Sequence, residues 1–166
     1  MRAYAYQTFY RLPKSTRRRI VRMVAPKYLV GAVCVVRDSE VDGPDRLLLL
    51  RQPNHRGWNL PAGLLKRGEH PATGAARELH EESGVRLDPS DLTAGNPSSL
   101  VHHQEGVVDT IWLASVPAST TTLRVDGGEV LEAAWFPVDD LPRLTSNTAA
   151  LLGHFGIGPR STRQQS

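Results

Sequence analysis

Residues 63–85, which read GLLKRGEHPATGAARELHEESGV, constrain the fold of this chain more than any other segment. Pro71 suits the first turn of a helix, where its missing N–H costs nothing. Gly84 suits the left-handed residue that ends a helix. The residues between them give the helix a small apolar face, made of Ala72, Ala75, Ala76 and Leu79. The segment therefore predicts one helix of about three turns that packs by a narrow face.

Three carboxylates share one side of this predicted helix. Glu78 and Glu81 are three residues apart, and Glu78 and Glu82 are four apart, which places neighbouring Cβ atoms within about 5–6 Å. Like charges this close repel one another, whereas charged helix faces usually alternate in sign. A hard divalent cation reverses the repulsion, because Mg²⁺ and Mn²⁺ bind carboxylate, carbonyl and water oxygens. The pattern favours a metal site over a solvated face.

The same segment resembles the signature of the Nudix hydrolases: Gly, five residues, Glu, seven residues, then Arg-Glu-aliphatic-x-Glu-Glu-x-Gly-aliphatic. Every position is matched, by Gly63, Glu69, Arg77, Glu78, Leu79, Glu81, Glu82, Gly84 and Val85. The resemblance implies an α/β fold in which a mixed β-sheet is sandwiched between helices. It also implies a hydrolase that cuts the diphosphate linkage of a nucleoside diphosphate joined to another group.

The resemblance further implies metal ligands and supporting residues. The implied ligands of Mg²⁺ or Mn²⁺ are the carboxylates of Glu78, Glu81 and Glu82 and the backbone carbonyl of Gly63. Glu69 would be an additional ligand or would support one, and Arg77 would orient a glutamate. We expect Arg77 to tie down Glu81 as well, since the two are four residues apart.

One carboxylate must act as the general base for the attacking water. Glu82 is the first choice, and Glu129 and Glu132, in the later loop, are the alternatives. Glu82→Gln is expected to lower the rate on the order of a hundredfold or more.

Three residues that precede the segment 63–85 are candidate substrate ligands. Arg51 and Arg56 suit phosphate oxygens, because a guanidinium binds them bidentately; a surface charge is the alternative for Arg56. Trp58 suits stacking on a base, with core packing as the alternative. The leaving group stays open among nucleotide sugars, ADP-ribose-like compounds and nucleoside triphosphates. An RNA 5′-end pyrophosphohydrolase and a non-catalytic ligand sensor with a nucleic-acid-binding arm are the alternative functions.

The chain is expected to divide into an arm (1–26), a hydrolase domain (27–157) and a flexible tail (158–166). No acidic residue precedes Asp38, and Lys and Arg cluster between positions 14 and 27. Ser15 or Thr16 is expected to cap a short basic helix that packs on the domain; a partner, RNA or lipid surface is the alternative.

Within the domain, the apolar patterns predict the order of the elements. Strands are expected at 28–37, 47–52, 98–104, 107–116, 123–125 and 133–136, and a last helix at 146–155.

Composition narrows the class of protein. The 166 residues, 40% hydrophobic and 22% charged, suit one globular domain. Cys34 is the only cysteine, so an intrachain disulfide is excluded, and its apolar neighbours predict a buried thiol. No apolar run approaches a membrane span, and a cytoplasmic location is expected. The net charge of +3 favours a nucleotide-type anionic ligand without singling out nucleic acid. A homodimer stays open.

Overall fold

The computed structural model of the protein describes residues 9–40, 42–43 and 45–158. Its helices are α1 (Lys14–Val24), α2 (Pro71–Ser83) and α3 (Ser146–Gly153). Its strands are β1 (Leu29–Asp38), β2 (Arg46–Arg51), β3 (Trp58–Asn59), β4 (Ala62–Leu64), β5 (Thr93–His102), β6 (Val107–Val116) and β7 (Glu132–Pro137). A short 3₁₀ turn at Pro89–Asp91 follows α2.

The strands form one mixed sheet with β1 at its centre. The order is β3-β2-β1-β6-β5, with β4 added beside β1 and β7 beside β2. β1 runs parallel to β6 along its whole length and antiparallel to β2 and β4. Gly31–Val36 are buried without interruption, as expected for a central strand that is covered on both faces.

Alternate residues of β1 point into two separate cores. Ala32 and Cys34 belong to the cluster that contains Leu79 of α2, whereas Val33 belongs to the cluster that contains Leu152 of α3. Side chains alternate across a strand, so one apolar run fills both cores. The sheet thus lies between α2 and α3, and the predicted α-β-α architecture is confirmed.

Several predicted boundaries are wrong, and each has a local reason. The segment 123–125 is not a strand: Arg124 N donates to Ser83 O at the end of α2, not to a neighbouring strand. β5 begins at Thr93, five residues before the predicted start, because an edge strand tolerates Pro97, which has no N–H. α3 ends at Gly153, where a turn follows.

Helix α1 also differs from the prediction. It begins at Lys14 after Pro13, and its N-terminus has no side-chain cap, so Ser15 and Thr16 lie inside the helix. None of its residues is buried, and the expected packing on the domain is therefore not seen. Residues 1–8 of the arm and 159–166 of the tail lie outside the described residues, and the three-part division stays a prediction. None of the described helices is long and apolar enough to cross a membrane.

Candidate active site

Helix α2 is fixed at both ends by the residues that flank it. Pro71 occupies its first turn, and the His70 imidazole accepts a hydrogen bond from the backbone N–H of Ala72. Gly84 adopts the left-handed conformation, with φ of 78°, and its N–H bonds to the carbonyl of His80. The sequence predicted Pro71 and Gly84 in these positions but not the capping imidazole. Because both ends of α2 are fixed, the positions of its glutamates along the helix are fixed as well.

Arg77 is the centre of an ionic cluster. Its Nε and Nη2 lie 2.9 and 3.0 Å from the two carboxylate oxygens of Glu69. Its Nη1 lies 2.6 Å from Glu78 Oε1 and 3.0 Å from Glu81 Oε2. The guanidinium, helped by the backbone N–H of Lys66, lowers the pKa of Glu69 to about 2. Glu69 is therefore ionised at any physiological pH.

Gly63 makes room for the second glutamate of the cluster. A Cβ atom at residue 63 would lie 2.1 Å from the carboxyl carbon of Glu78. Strand β4 carries Gly63 and pairs with β1 at Ala32, so its backbone cannot retreat without breaking the sheet. The absence of a side chain is what lets the Glu78 carboxylate lie against β4.

Glu82 differs from the other two glutamates of the helix because it is buried, with 8% of its surface exposed. Its Oε2 accepts from the backbone N–H of Ala62 at 2.9 Å, and its Oε1 accepts from Gln52 Nε2 at 3.2 Å. Burial, together with the charges of Glu78, Glu129 and Glu81, raises the pKa of Glu82 to about 7 despite the opposing Ala62 hydrogen bond. It titrates near neutral pH.

A cleft of about 430 Å³ opens beside Glu82. Both groups that hold Glu82, Gln52 and the Ala62 backbone, line this cleft. Its other polar lining residues include Asn59, His102, Asp109, Thr145 and Asn147. Glu82 is thus linked, through Gln52 and Ala62, to a cavity with room for part of a small molecule.

The cleft is also lined by a carboxylate, that of Asp109. Burial raises the pKa of Asp109, and Gly31 leaves space for it, since a Cβ there would lie 2.5 Å from Asp109 Oδ1. His102 Nε2 lies 3.1 Å from Asp109 Oδ2, although off the line of a hydrogen bond.

The donor chemistry of the cluster fits a divalent cation. Within residues 9–40, 42–43 and 45–158, no three His, Cys, Asp or Glu side chains are arranged to hold a metal ion as they lie. Instead, the Arg77 Nη1 donates to one oxygen of Glu78 and to one of Glu81. Two carboxylates that share one cationic nitrogen are close enough to share a metal ion, which prefers the same oxygens.

The remaining predicted site residues have other partners. Arg51 makes an ion pair with Glu132 at 3.0 Å, and both are exposed. Trp58 packs edge-on against Phe136, with ring centroids 4.6 Å apart. Arg56 is exposed on the loop before β3.

Glu129 is exposed and near enough to Glu82 for its charge to act there. The binding and base roles of these residues stay predictions. The structure brings Glu129 toward the cluster, whereas Arg51 and Glu132 pair with each other.

Sequence reasoning missed the residues that hold Glu82 and line the cleft. Gln52 and Ala62 are 30 and 20 residues away from Glu82 along the chain, and no local pattern marks them. The alternation of β6 indicates only that Asp109 faces the opposite side from its neighbours. The available signal was that Asp109 is the one charged residue of this strand.

Comparison with known proteins identifies the family. A family model of the NUDIX domain matches residues 27–154. The chain belongs to the Nudix family. A MutT-like protein of Streptomyces ambofaciens is 46% identical over 48 residues, which covers 29% of this chain and 31% of that protein. The chain thus spans less than a third of that curated relative.

Longer matches agree with this assignment. A CMP-5'-(N-acetyl-N-hydroxy-3-aminopropyl)phosphonate hydrolase of Streptomyces rubellomurinus is 34% identical over 154 aligned residues, which covers 81% of this Nudix chain and 67% of that protein. The NUDIX domain of Shewanella oneidensis NrtR, in a structure with ADP ribose, has a TM-score of 0.63 at 16% identity, and the match covers 85% of this chain and 95% of that one. The second likeness shows the shared fold.

Proposed function

We propose that this Nudix protein hydrolyses the diphosphate linkage of a nucleoside diphosphate derivative in the presence of Mg²⁺ or Mn²⁺. The observation that carries the proposal is the position of Glu82: a buried carboxylate, with a pKa of about 7, between a cluster of carboxylates and a polar cleft. This pKa belongs to the metal-free site. A cation bound at Glu82 would lower it, so that the carboxylate would be ionised at neutral pH and able to accept a proton from water.

The residues proposed to hold the cation are Glu78, Glu81 and Glu82 with the Gly63 carbonyl, and Glu69 supports them through Arg77. When bound, the cation would neutralise charge on the diphosphate and make phosphorus more electrophilic. The negative charges of Glu78, Glu129 and Glu81 all act on Glu82, so a cation held among these carboxylates would relieve their mutual repulsion. Arg77 fixes Glu69, Glu78 and Glu81 relative to one another.

In the proposed reaction, Glu82 removes a proton from water as the water oxygen attacks phosphorus. A new P–O bond forms, the bond to the bridging oxygen breaks, and the leaving phosphate departs with the electron pair. The hydrogen bonds from Ala62 and Gln52 hold the carboxylate in one orientation. Glu129 is the proposed alternative base, since it is exposed and its charge acts on Glu82.

The cleft is proposed to hold the nucleoside. Its carboxamide and hydroxyl groups, from Asn59, Asn147 and Thr145, suit the hydrogen-bonding edges of a base or ribose. The named substrate of the Streptomyces rubellomurinus relative and the ADP ribose bound to the NrtR domain are both nucleotides joined to another group. They support this substrate class, and the identity of the attached group stays open.

A phosphate-binding role for Arg51 and Arg56 and a stacking role for Trp58 are part of the same proposal.

The test is product release by the purified chain with Mg²⁺ and then Mn²⁺. The panel contains ADP-ribose, a nucleotide sugar, a dinucleoside polyphosphate, dGTP and its oxidised form, and a 5′-triphosphorylated RNA. Glu82→Gln is expected to lose on the order of a hundredfold or more in rate, whereas the exposed control Asp139→Asn keeps the rate. A full-rate Glu82→Gln would move the base to Glu129 or Glu132.

The same panel decides between the alternative functions. Turnover of the RNA end alone would make the protein an RNA 5′-end pyrophosphohydrolase. No turnover, with Mg²⁺ still bound, would favour a ligand sensor. The cytoplasmic location and a homodimer stay predictions.

A further inference from the structure

Helix α1 has two chemically different sides. At 100° per residue, its basic residues Lys14, Arg18, Arg22 and Arg19 fall within an arc of about 140°. The rest of the circumference carries Ile20, Val21, Met23 and Val24. Ile20 and Val24 lie opposite the basic arc, whereas Val21 and Met23 lie at its two edges, about 20° from Lys14 and about 40° from Arg19. Arg17 lies on the apolar side, and its guanidinium is 5.2 Å from the ring centroid of Tyr10. The helix is therefore strongly amphipathic and cationic.

The apolar side of α1 is not covered by the domain. Met23 is 82% exposed, Val24 75% and Val21 48%, and no residue of the helix is buried. Exposed apolar side chains grouped on one helix beside charged residues mark an interaction site. The basic side has no acidic neighbour along the chain, because no acidic residue occurs before Asp38.

Three kinds of binding partner can be compared for this surface: a second copy of α1, RNA and a membrane. A second copy of α1 would cover the apolar side but would bring two cationic helices together. RNA would neutralise the arginines but would leave Met23 and Val24 in water. A membrane surface with anionic lipids satisfies both sides at once, since phosphates meet the basic residues and the acyl boundary takes the apolar ones.

We propose that α1 binds the surface of membranes that contain anionic lipids. The helix lies parallel to the surface, with Val21, Met23 and Val24 in the acyl boundary and Arg18, Arg19 and Arg22 at the phosphates. Pro26 separates α1 from β1, so the hydrolase domain stays outside the bilayer. This surface is separate from the carboxylates of α2 and does not depend on their chemistry.

The first experiment measures co-sedimentation of the full chain with vesicles of phosphatidylcholine, with and without phosphatidylglycerol. Binding is expected only with the anionic lipid. The double variant Arg18→Glu, Arg22→Glu is expected to bind at least about thirtyfold more weakly. Arg143→Glu, an exposed reversal on the far part of the chain, is the matched control and keeps binding.

Apolar variants separate a lipid surface from a simple polyanion. Met23→Asp with Val24→Asp is expected to weaken vesicle binding about a hundredfold, whereas Val101→Asp, at a residue that is 47% exposed on β5, does not. Unchanged binding by the first variant would overturn the proposal. A second result would also overturn it: the chain retards RNA in a gel, this retardation requires the arginines but not Met23, and the chain does not bind vesicles.

A fluorescent label reports the orientation of the helix. Cys34 is fully buried, so an environment-sensitive dye reacts selectively at Met23→Cys or, on the basic side, at Arg18→Cys. Anionic vesicles are expected to shift the emission of the first label to the blue and to leave the second unchanged. Equal emission shifts for the two labels would refute the proposed orientation. The proposed occupant would be refuted if light scattering showed a dimer that depends on Met23 and the protein did not bind vesicles.

Discussion

The carboxylate of Glu78 fills the space where a side chain at residue 63 would lie: a Cβ on Gly63 would come within 2.1 Å of its carboxyl carbon. The glycine belongs to β4 and the glutamate to α2, so the contact sets how closely the helix approaches the sheet. A distance of 2.1 Å is far inside van der Waals contact, and neither backbone is free to move alone.

Gly63→Ala is therefore expected to displace Glu78 and to lower the hydrolysis rate by at least about a hundredfold. The fold is expected to survive, because the added methyl group would meet the Glu78 carboxylate and Gly63 belongs to neither hydrophobic core. The measurements are the rate with Mg²⁺ and the far-UV circular dichroism spectrum. Gly43→Ala is the control, since its Cβ would have no neighbour closer than 3.9 Å. Equal rates for the two variants would show that the contact is unimportant.

Removal of Arg77 is expected to destabilise the protein and to make it more dependent on metal. Arg77→Ala leaves the carboxylates of Glu69, Glu78 and Glu81 without their shared partner, at a cost of about 3 kcal/mol in the free energy of unfolding. Mg²⁺ is expected to restore part of this loss, because a cation bound to the native state stabilises it.

The measurement for Arg77 is denaturant unfolding with Mg²⁺ and with EDTA. Arg77→Lys keeps the charge but loses the two parallel bonds to Glu69, so its stability is expected to fall between those of Arg77→Ala and the unchanged protein. Arg143→Ala serves as the exposed control. A loss of stability that Mg²⁺ leaves untouched would argue against a metal site at these carboxylates.

The raised pKa of Glu82 predicts how metal-free stability depends on pH. The pKa is about 7 in the native state against 4.5 for the unperturbed group, so the native state binds the proton more tightly than the unfolded state does. This contribution is complete below pH 4.5 and is lost as the pH rises through 7. The free energy of unfolding is expected to fall by about 3 kcal/mol over this range.

Glu82→Gln is expected to remove this part of the pH dependence, because an amide does not titrate. The comparison uses denaturant unfolding in EDTA at several pH values for both proteins. Parallel curves for the two proteins would mean that Glu82 has an ordinary pKa in the native state.

Gln52 is expected to tune the same carboxylate. Its Nε2 donates to Glu82 Oε1 at 3.2 Å, and a hydrogen bond to the charged form favours ionisation. Gln52→Met removes the donor at similar volume, so the acidic limb of the pH–rate profile is expected to move to higher pH. The measurement is kcat/KM against pH. An unshifted limb, with only KM altered, would make Gln52 a substrate contact instead.

The sequence alone determined the chemistry of α2 and the position of both its ends. Pro71 and Gly84 act on the backbone within one helical turn, and the i, i+3 and i, i+4 spacing of Glu78, Glu81 and Glu82 follows from helix geometry. The buried character of β1 was also local, because its apolar residues are consecutive. Such features depend on neighbours in the chain and can be predicted from them.

The tertiary structure alone decided which glutamate is buried and what holds it. The three glutamates are alike in the sequence, yet only Glu82 meets Ala62 and Gln52, from elements 20 and 30 residues earlier. Arg51 is a second example. The sequence suggested it as a phosphate ligand, and in the structure it forms an ion pair with Glu132. These contacts arise from how strands and helix pack, and no local periodicity encodes the choice among similar side chains. Helix propensity could place α1, but only the packed domain shows that its apolar side is left uncovered.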